Sequence, residues 1–208
     1  MKTELIPVIH MIDDDQVLLN VEICHQCGIK KVFLINHVVS IQELLKCAYR
    51  IKEEYTDMWV GVNMLGMPTH IALSNPLVGI DGLWCDATIS SNQAKQVRSF
   101  RGLFFGGLAF KYQSQPTDLE SACKDAKFAT DVACTSGTGT GKAPTTIKII
   151  NIRGFLGEHP MAIASGVSVD NIESYKGIVN YLLVASSITN KDDMIIKSKL
   201  IELKSKLD

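Results

Sequence analysis

The sequence predicts an α/β protein, a compact single (β/α)8 TIM barrel, and three observations support this fold class. Short apolar runs alternate with helical stretches along the whole chain. The apolar runs lack a strict polar–apolar alternation, as expected for parallel strands that are buried on both faces. Eight such units in 208 residues average 26 residues each, which is the small end for this fold. An open doubly wound sheet is the alternative, but it does not require eight units of near-equal length.

Each predicted strand is a short apolar run bounded by polar residues, glycine or proline. The eight strands are Leu5–Met11, Lys31–Asn36, Met58–Asn63, Ile80–Cys85, Gly102–Phe110, Thr130–Thr135, Pro160–Ala164 and Val179–Ala185.

Each predicted helix has apolar residues at helical spacing, and several have recognisable ends. Asp13 is a plausible cap for the first helix, Gly28 ends it, and Pro116 opens the fifth. The eight helices are Asp13–Cys27, Ile41–Tyr55, Thr69–Leu77, Ser91–Phe100, Thr117–Lys127, Pro144–Phe155, Ser168–Tyr175 and Asp192–Leu207.

The composition is that of one globular domain covering residues 1–208. Apolar residues make up 46% of the chain, and 21 Lys or Arg against 22 Asp or Glu give a net charge of -1. This balance argues against nucleic acid as the main partner, because phosphate neutralisation needs a basic excess. The chain has no apolar run long enough for a membrane span and no secretory signal at its start, so we expect a cytoplasmic protein. The sequence leaves the oligomeric state open, with a homo-oligomer among the options.

The six cysteines are scattered and read as reduced thiols of a cytoplasmic protein. Cys24 and Cys27 have the spacing of half a zinc site, but no second pair completes four ligands. We therefore expect neither a metal ion nor a cofactor.

Polar residues follow most of the predicted strands, at the barrel face where active sites of this fold lie. His10 and Asp86 are the candidate general acid and base, and Lys111 is a candidate electrostatic stabiliser. Asn36 and Asn63 are candidate substrate-binding residues. The three candidate catalytic residues each have a plain structural alternative. His10 is then a rim histidine, Asp86 a helix cap and Lys111 a solvated loop lysine.

The glycine-rich segment 136–143 follows the sixth strand. It matches neither a phosphate-binding P-loop nor a dinucleotide fingerprint, because Ser136 and Ala143 stand where the P-loop needs glycine and a hydroxyl residue. We expect a mobile loop in which Ser136, Gly137 and Thr138 contact the substrate.

Small residues after the seventh and eighth strands are the stronger anion signal. Ser165 and Gly166 follow the seventh strand, and Ser186 and Ser187 follow the eighth. Many barrels bind a substrate phosphate with these two loops, using backbone N–H groups at a helix start. We expect Gly166→Asp to abolish phosphate binding and to leave the fold largely intact.

Five segments carry a resemblance to a known family. They are Val8–His10, Gly61–Leu65, Lys111, Ser136–Gly141 and Ala164–Asn171. Through them the chain resembles the BtpA/SgcQ family of predicted TIM-barrel enzymes over nearly its whole length. The resemblance implies a barrel of the phosphate-binding type. It also implies nucleosidase-like or phosphosugar chemistry, or a role in membrane-complex biogenesis.

Three segments, with four residues between them, depart from the family pattern. Met67 and Pro68 replace an Asn-Asp pair, Gly107 replaces an acid before Lys111, and Ile35 replaces a glutamate. The residues that the resemblance implies for binding are kept, whereas several polar or acidic residues that it implies for catalysis are missing. The sequence therefore leaves two functions open: an enzyme acting on a small phosphorylated or ribosylated metabolite, and a non-catalytic binding or assembly factor.

Overall fold

The computed structural model describes residues 2–208 and contains a closed barrel of eight parallel strands. The strands follow one another around the barrel in chain order, and β8 pairs with β1 to close it, with Glu4 opposite Tyr181. The strands are β1 (Glu4–Met11), β2 (Lys31–Asn36), β3 (Trp59–Asn63), β4 (Gly82–Cys85), β5 (Leu103–Gly107), β6 (Val132–Thr135), β7 (Met161–Ala164) and β8 (Tyr181–Val184). The predicted (β/α)8 TIM barrel is confirmed.

In the described part of the chain, seven α-helices surround the barrel, and most begin at the capping residue that their sequence supplies. Asp13 accepts a hydrogen bond from the Gln16 backbone N–H at 2.8 Å, as predicted. Ser40 and Glu43 form a reciprocal capping box at the second helix. The helices are α1 (Asp14–Gln26), α2 (Ile41–Glu54), α3 (Thr69–Ser74), α4 (Ser91–Val97), α5 (Leu119–Ala129), α6 (Thr146–Leu156) and α7 (Lys197–Ser205). In residues 2–208 we find no helix with the length and apolar character needed to cross a membrane.

The helix predicted over Ser168–Tyr175 is wrong. Only a single 3-10 turn forms there, at Ile172–Ser174. The Asn171 side chain accepts from the Ser168 N–H at 2.9 Å and donates to the Gly166 carbonyl at 2.8 Å. These local bonds give the backbone an alternative to a helix, as asparagine side chains commonly do.

The helix predicted over Asp192–Leu207 begins five residues late, at Lys197. The preceding residues turn back on themselves, with Thr189 and Ile195 forming an antiparallel bridge. The Asn20 side chain on α1 accepts from the Ile195 N–H at 2.7 Å and holds this turn in place. A tertiary contact therefore overrides the local helical spacing.

Aromatic side chains and glycines share the barrel interior. Phe33 lies 5.1 Å from Phe105 and 5.3 Å from Trp59, measured between ring centroids. A Cβ atom on Gly61 would lie 2.3 Å from the Phe33 ring, and one on Gly82 would lie 2.2 Å from the Trp59 ring. The glycines in β3 and β4 leave the space that these rings fill.

Candidate functional site

The carboxyl ends of the strands bring the predicted residues together at one mouth of the barrel. The His10 and His37 rings are 4.7 Å apart between centroids, and Asn63 Nδ2 lies 3.1 Å from Asp86 Oδ1. Burial lowers the pKa of His10 and raises that of Asp86, and the Lys111 charge acts on both groups, adding to the first shift and opposing the second.

His10 lies between a carboxylate and a second imidazole. Its Nδ1 atom is 3.3 Å from Asp193 Oδ1, and its ring meets that of His37 edge-on. Burial lowers the pKa of His10, the neighbouring His37 lowers it further, and Asp193 opposes both. A lowered pKa favours the neutral imidazole. With Nδ1–H donating to Asp193, the lone pair of Nε2 is left to accept a proton.

Asp193 was not foreseen from the sequence. It belongs to the loop after β8, far from His10 in the chain, within the segment predicted as helix. Its backbone carbonyl accepts from Gln16 Nε2 at 2.9 Å and from Asn20 Nδ2 at 3.0 Å. Two side chains of α1 therefore place the carboxylate beside His10. Nothing in the sequence around either residue indicates that His10 and Asp193 pair.

Asp86 is a half-buried carboxyl group at the end of β4. Burial raises its pKa, and the hydrogen bond from Asn63 opposes this shift. A Cβ atom on Gly107 would lie only 1.8 Å from the Asp86 carbonyl oxygen. Because the ends of β4 and β5 approach so closely, position 107 has no room for the acid that the family pattern carries there.

Lys111 is held by its backbone rather than by a carboxylate. Its N–H donates to Ser136 Oγ at 2.7 Å, whereas Nζ lies 3.5 Å from Thr140 Oγ1 and 5.9 Å from the Phe110 ring centroid. The ammonium group is therefore available to a ligand.

Lys148 on α6 fixes the segment that carries Lys111, and sequence reasoning missed it. Its Nζ donates to the Ala109 carbonyl at 2.6 Å and to the Ser136 carbonyl at 2.7 Å. Burial lowers the pKa of this lysine. Lys148 thus joins the loop after β5 to the loop after β6. A surface lysine and a bridging lysine look alike in a sequence.

Three of the four predicted phosphate-binding residues line one cavity of about 80 Å³. Lys111 is the one lysine or arginine among the described residues in its wall, and that wall contains no aspartate or glutamate. The lining residues are Val8, His10, Trp84, Lys111, Thr140, Gly141, Ala164, Ser165, Gly166, Val167, Leu183, Val184, Ala185 and Ser186. Ser187 lies outside this wall, and its buried Oγ has no hydrogen-bond partner within residues 2–208.

The donors of this cavity differ from those expected. Ser165 Oγ donates to the Gly139 carbonyl at 2.9 Å, so that hydroxyl group is already engaged. The backbone N–H groups of Gly166, Val167 and Ser186 donate no hydrogen bond to any described residue. The helix expected after β7 is wrong, since only a short 3-10 turn forms there, whereas the alternative, a short turn after β8, is present, with the Ile188 N–H donating to the Ala185 carbonyl.

The glycine-rich loop is tightly packed at its base. A Cβ atom on Gly137 would lie 2.0 Å from the Lys142 carbonyl oxygen, and the Ser136 hydroxyl group is bonded within the protein. Thr138 and Thr140 are exposed at the tip, where the Thr140 N–H donates to the Tyr112 hydroxyl at 3.1 Å. Dense packing of the base counts against a lid that moves as a whole.

Asn36 lies at the rim and braces two loops. Its Oδ1 accepts from the Leu65 N–H at 2.8 Å, and its Nδ2 is 3.4 Å from the Val39 carbonyl oxygen. Both ends of the side chain are used by the protein. We therefore leave Asn36 out of the proposed binding groups.

A second cavity of about 270 Å³ lies beside Asn63 and Asp86, between the loops after β3 and β4. Met64 and Met67 contribute to its wall with Gln113. The mouth therefore has a small compartment lined by Lys111 and a larger one lined by Asp86.

Cysteines and metal ligands add little to this site. Burial raises the pKa of the Cys85 thiol to about 12, so it is a poor nucleophile. Across residues 2–208, no three His, Cys, Asp or Glu side chains gather into a group that could hold a metal ion.

No protein-family model matches the chain, and no curated protein is significantly similar to it in sequence. Solved structures, in contrast, are similar over its whole length. Phosphoribosyl anthranilate isomerase from Thermus thermophilus has a TM-score of 0.68 at 15% identity, with 100% of this chain and 98% of that chain covered. Tryptophan synthase alpha chain from Legionella pneumophila has a TM-score of 0.71 at 11% identity, with 100% and 92% covered. Thiamine phosphate pyrophosphorylase from Pyrococcus furiosus has a TM-score of 0.68 at 13% identity, with 98% and 95% covered.

These likenesses show the fold. The chain is a TIM barrel. At identities of 11–15% they do not carry an activity over to this chain. The resemblance to the BtpA/SgcQ family stays a prediction from the sequence motifs.

Proposed function

We propose that this TIM barrel is an enzyme that binds a small phosphorylated metabolite and acts on it at the mouth of the barrel. The observation that carries the proposal is the cavity of about 80 Å³ beside Lys111. Because about 10–15 Å³ of such space holds one water molecule, this cavity has room for a group of several heavy atoms such as a phosphate.

The wall of this cavity favours an anion. Lys111 supplies positive charge, and the N–H groups of Gly166, Val167 and Ser186 have no protein acceptor. Backbone N–H groups at close approach are common partners of phosphate oxygens. The similar solved structures include phosphoribosyl anthranilate isomerase and thiamine phosphate pyrophosphorylase, and both names refer to phosphorylated compounds.

The rest of the metabolite would lie across the mouth, towards the larger cavity and Asp86. His10 has the arrangement of a general base, because Asp193 orients the ring and the imidazole is neutral. Burial raises the pKa of Asp86, which is the direction that a general acid needs. Two groups whose pKa values are shifted by different surroundings can divide acid and base roles. Proton transfer on a phosphosugar or a ribosylated compound would use this pair.

Lys111→Met tests the proposal in calorimetry with inorganic phosphate and ribose 5-phosphate. We expect affinity to fall roughly tenfold to hundredfold, as for loss of a hydrogen bond to a charged group. Lys142→Met is the matched control, because Lys142 is exposed on the same loop region and does not line the cavity. No binding by the wild type at millimolar ligand, or equal affinities of the two variants, would contradict the proposal.

The expectation that Gly166→Asp leaves the fold intact is wrong. Gly166 has φ +66°, and a Cβ atom there would lie 2.1 Å from the Ala143 backbone nitrogen. Any side chain at this position pushes the loop after β6 away. Ser186→Asp supplies the like charge instead, at an exposed residue that lines the cavity.

The variant His10→Gln distinguishes an enzyme from a non-catalytic binding factor. In an enzyme this variant retains ligand affinity and loses turnover, because Gln cannot accept the proton. A binding factor also retains its affinity in this variant, but neither the variant nor the wild type converts the ligand. Calorimetry of the variant, followed by product analysis with candidate phosphosugars, distinguishes the two.

A further inference from the structure

Trp84 is a buried residue of β4 in the wall of the Lys111 cavity, and no part of the proposed function uses it. Only 6% of the residue is exposed. Its ring meets Phe33 at 5.9 Å and Phe110 at 6.1 Å, both edge-on. Aromatic rings on two sides fix the position of the indole.

The indole Nε1 atom of Trp84 is buried and has no hydrogen-bond partner in residues 2–208. Leaving a buried donor unpaired is costly, and native structures contain few such groups. The indole N–H can only donate, so it needs an acceptor and cannot be satisfied by another donor. The surrounding aromatic rings provide no oxygen or nitrogen acceptor.

The adjoining cavity is the place from which an acceptor can come. Lys111 and the free N–H groups of Gly166, Val167 and Ser186 belong to the same wall. These donors follow three different strands, β5, β7 and β8, and Trp84 adds a fourth, β4. A single occupant would therefore have to present acceptor atoms in several directions. A tetrahedral oxyanion does this with three terminal oxygens, whereas a planar carboxylate has only two.

We propose that the Trp84 indole N–H donates a hydrogen bond to an oxygen of the bound oxyanion and so selects a phosphate monoester over a carboxylate. This inference rests on the proposed function, because it places the indole in the same phosphate compartment. It adds a ligand-binding residue from β4 to the two loops that usually hold phosphate in such barrels. Trp84 then links the phosphate to Asp86, which is two residues further along the chain and directly follows β4.

The experiment follows the two indole N–H signals of the 15N-labelled protein by NMR during titration with inorganic phosphate. The chain has two tryptophans, and Trp59→Phe removes one signal and so assigns both. We expect the Trp84 proton to shift downfield and to exchange more slowly with solvent. The Trp59 signal should stay in place, since Trp59 begins β3 at the opposite end of the barrel.

Affinity measurements provide the second readout. Trp84→Phe keeps an aromatic ring and removes the donor, and we expect ribose 5-phosphate to bind roughly tenfold more weakly. Trp59→Phe is the matched control and should bind like the wild type. Acetate should shift neither indole signal in the wild type.

The outcomes separate the two proposals. Phosphate binding that depends on Lys111 but leaves the Trp84 signal unmoved would overturn the role of Trp84 and leave the proposed function standing. A wild type that binds no phosphate would overturn both. If Trp84→Phe fails to fold, the titration of the wild type still decides the matter.

Discussion

The two ends of the barrel differ in how their charged side chains are paired. At the amino-terminal end, Lys52 Nζ donates to Asp81 Oδ2 at 2.8 Å, and Asp81 also accepts from the Val60 N–H at 2.7 Å. Arg98 pairs with Asp131 in the same manner, and Asp131 accepts from the Phe104 N–H at 2.7 Å. Charged side chains there join the start of one strand to the start of the next.

At the mouth, His10 pairs with Asp193 and Asn63 with Asp86, but two donors lack such a partner. Lys111 has no carboxylate in contact, and the Trp84 indole N–H has no acceptor among the described residues. In this fold the amino-terminal end contributes to stability and the carboxyl-terminal end carries the active site. Charged groups at the amino-terminal end can therefore be paired fully, because no ligand binds there. The unsatisfied groups at the mouth mark where a ligand would complete the structure.

Gly107→Ala should have the largest effect, because it forces the ends of β4 and β5 apart at the mouth. The new Cβ would overlap the Asp86 carbonyl, which is backbone and cannot swing away. We expect a loss of about 3 kcal/mol in the free energy of unfolding, measured by urea denaturation.

Gly154→Ala is the control for Gly107→Ala. Gly154 lies in α6, and a Cβ there has no atom within 4 Å. Alanine in an open helical position should stabilise the protein by up to about 1 kcal/mol. Equal effects of the two substitutions would show that β4 and β5 do not approach as closely as the structure indicates.

Asp131→Ala should separate the two ends by an intermediate effect on stability alone. It leaves the Phe104 N–H without its acceptor and takes the carboxylate from Arg98, which keeps only the carbonyl oxygens of Phe100 and Gly102. Because this pair is partly open to solvent, we expect about 1–3 kcal/mol of destabilisation in urea denaturation. Phosphate affinity should be unchanged, the reverse of the pattern for Lys111→Met. A change in affinity would argue that the two ends are coupled.

His10→Gln should have the smallest effect, visible in the pH dependence of stability. The folded protein holds the pKa of His10 below its ordinary 6.5. Below that pH the unfolded chain binds a proton that the folded protein does not, so His10 makes stability fall as the pH falls. Urea denaturation at about pH 7.5 and about pH 5 should show a shallower loss in the variant. Parallel losses in variant and wild type would contradict a neutral His10.

The sequence by itself determined the barrel and the residue types at its mouth. Apolar runs and helical periods are local properties, and eight of each in near-equal units suffice to predict closure. His10, Asn63, Asp86 and Lys111 could be placed because every strand end of a parallel barrel meets at one mouth.

Only the tertiary structure decided which of these groups are free and which partners orient them. Asp193 reaches His10 through contacts with α1, Lys148 bridges two loops, and the Asn171 side chain replaces a predicted helix with a turn. Gly107 excludes a side chain because of a neighbouring strand, and Trp84 lacks an acceptor because of what surrounds it. Apart from the Asn171 turn, which is made by local bonds, each of these depends on groups distant in the chain, whereas periodicity reports only on neighbours along it.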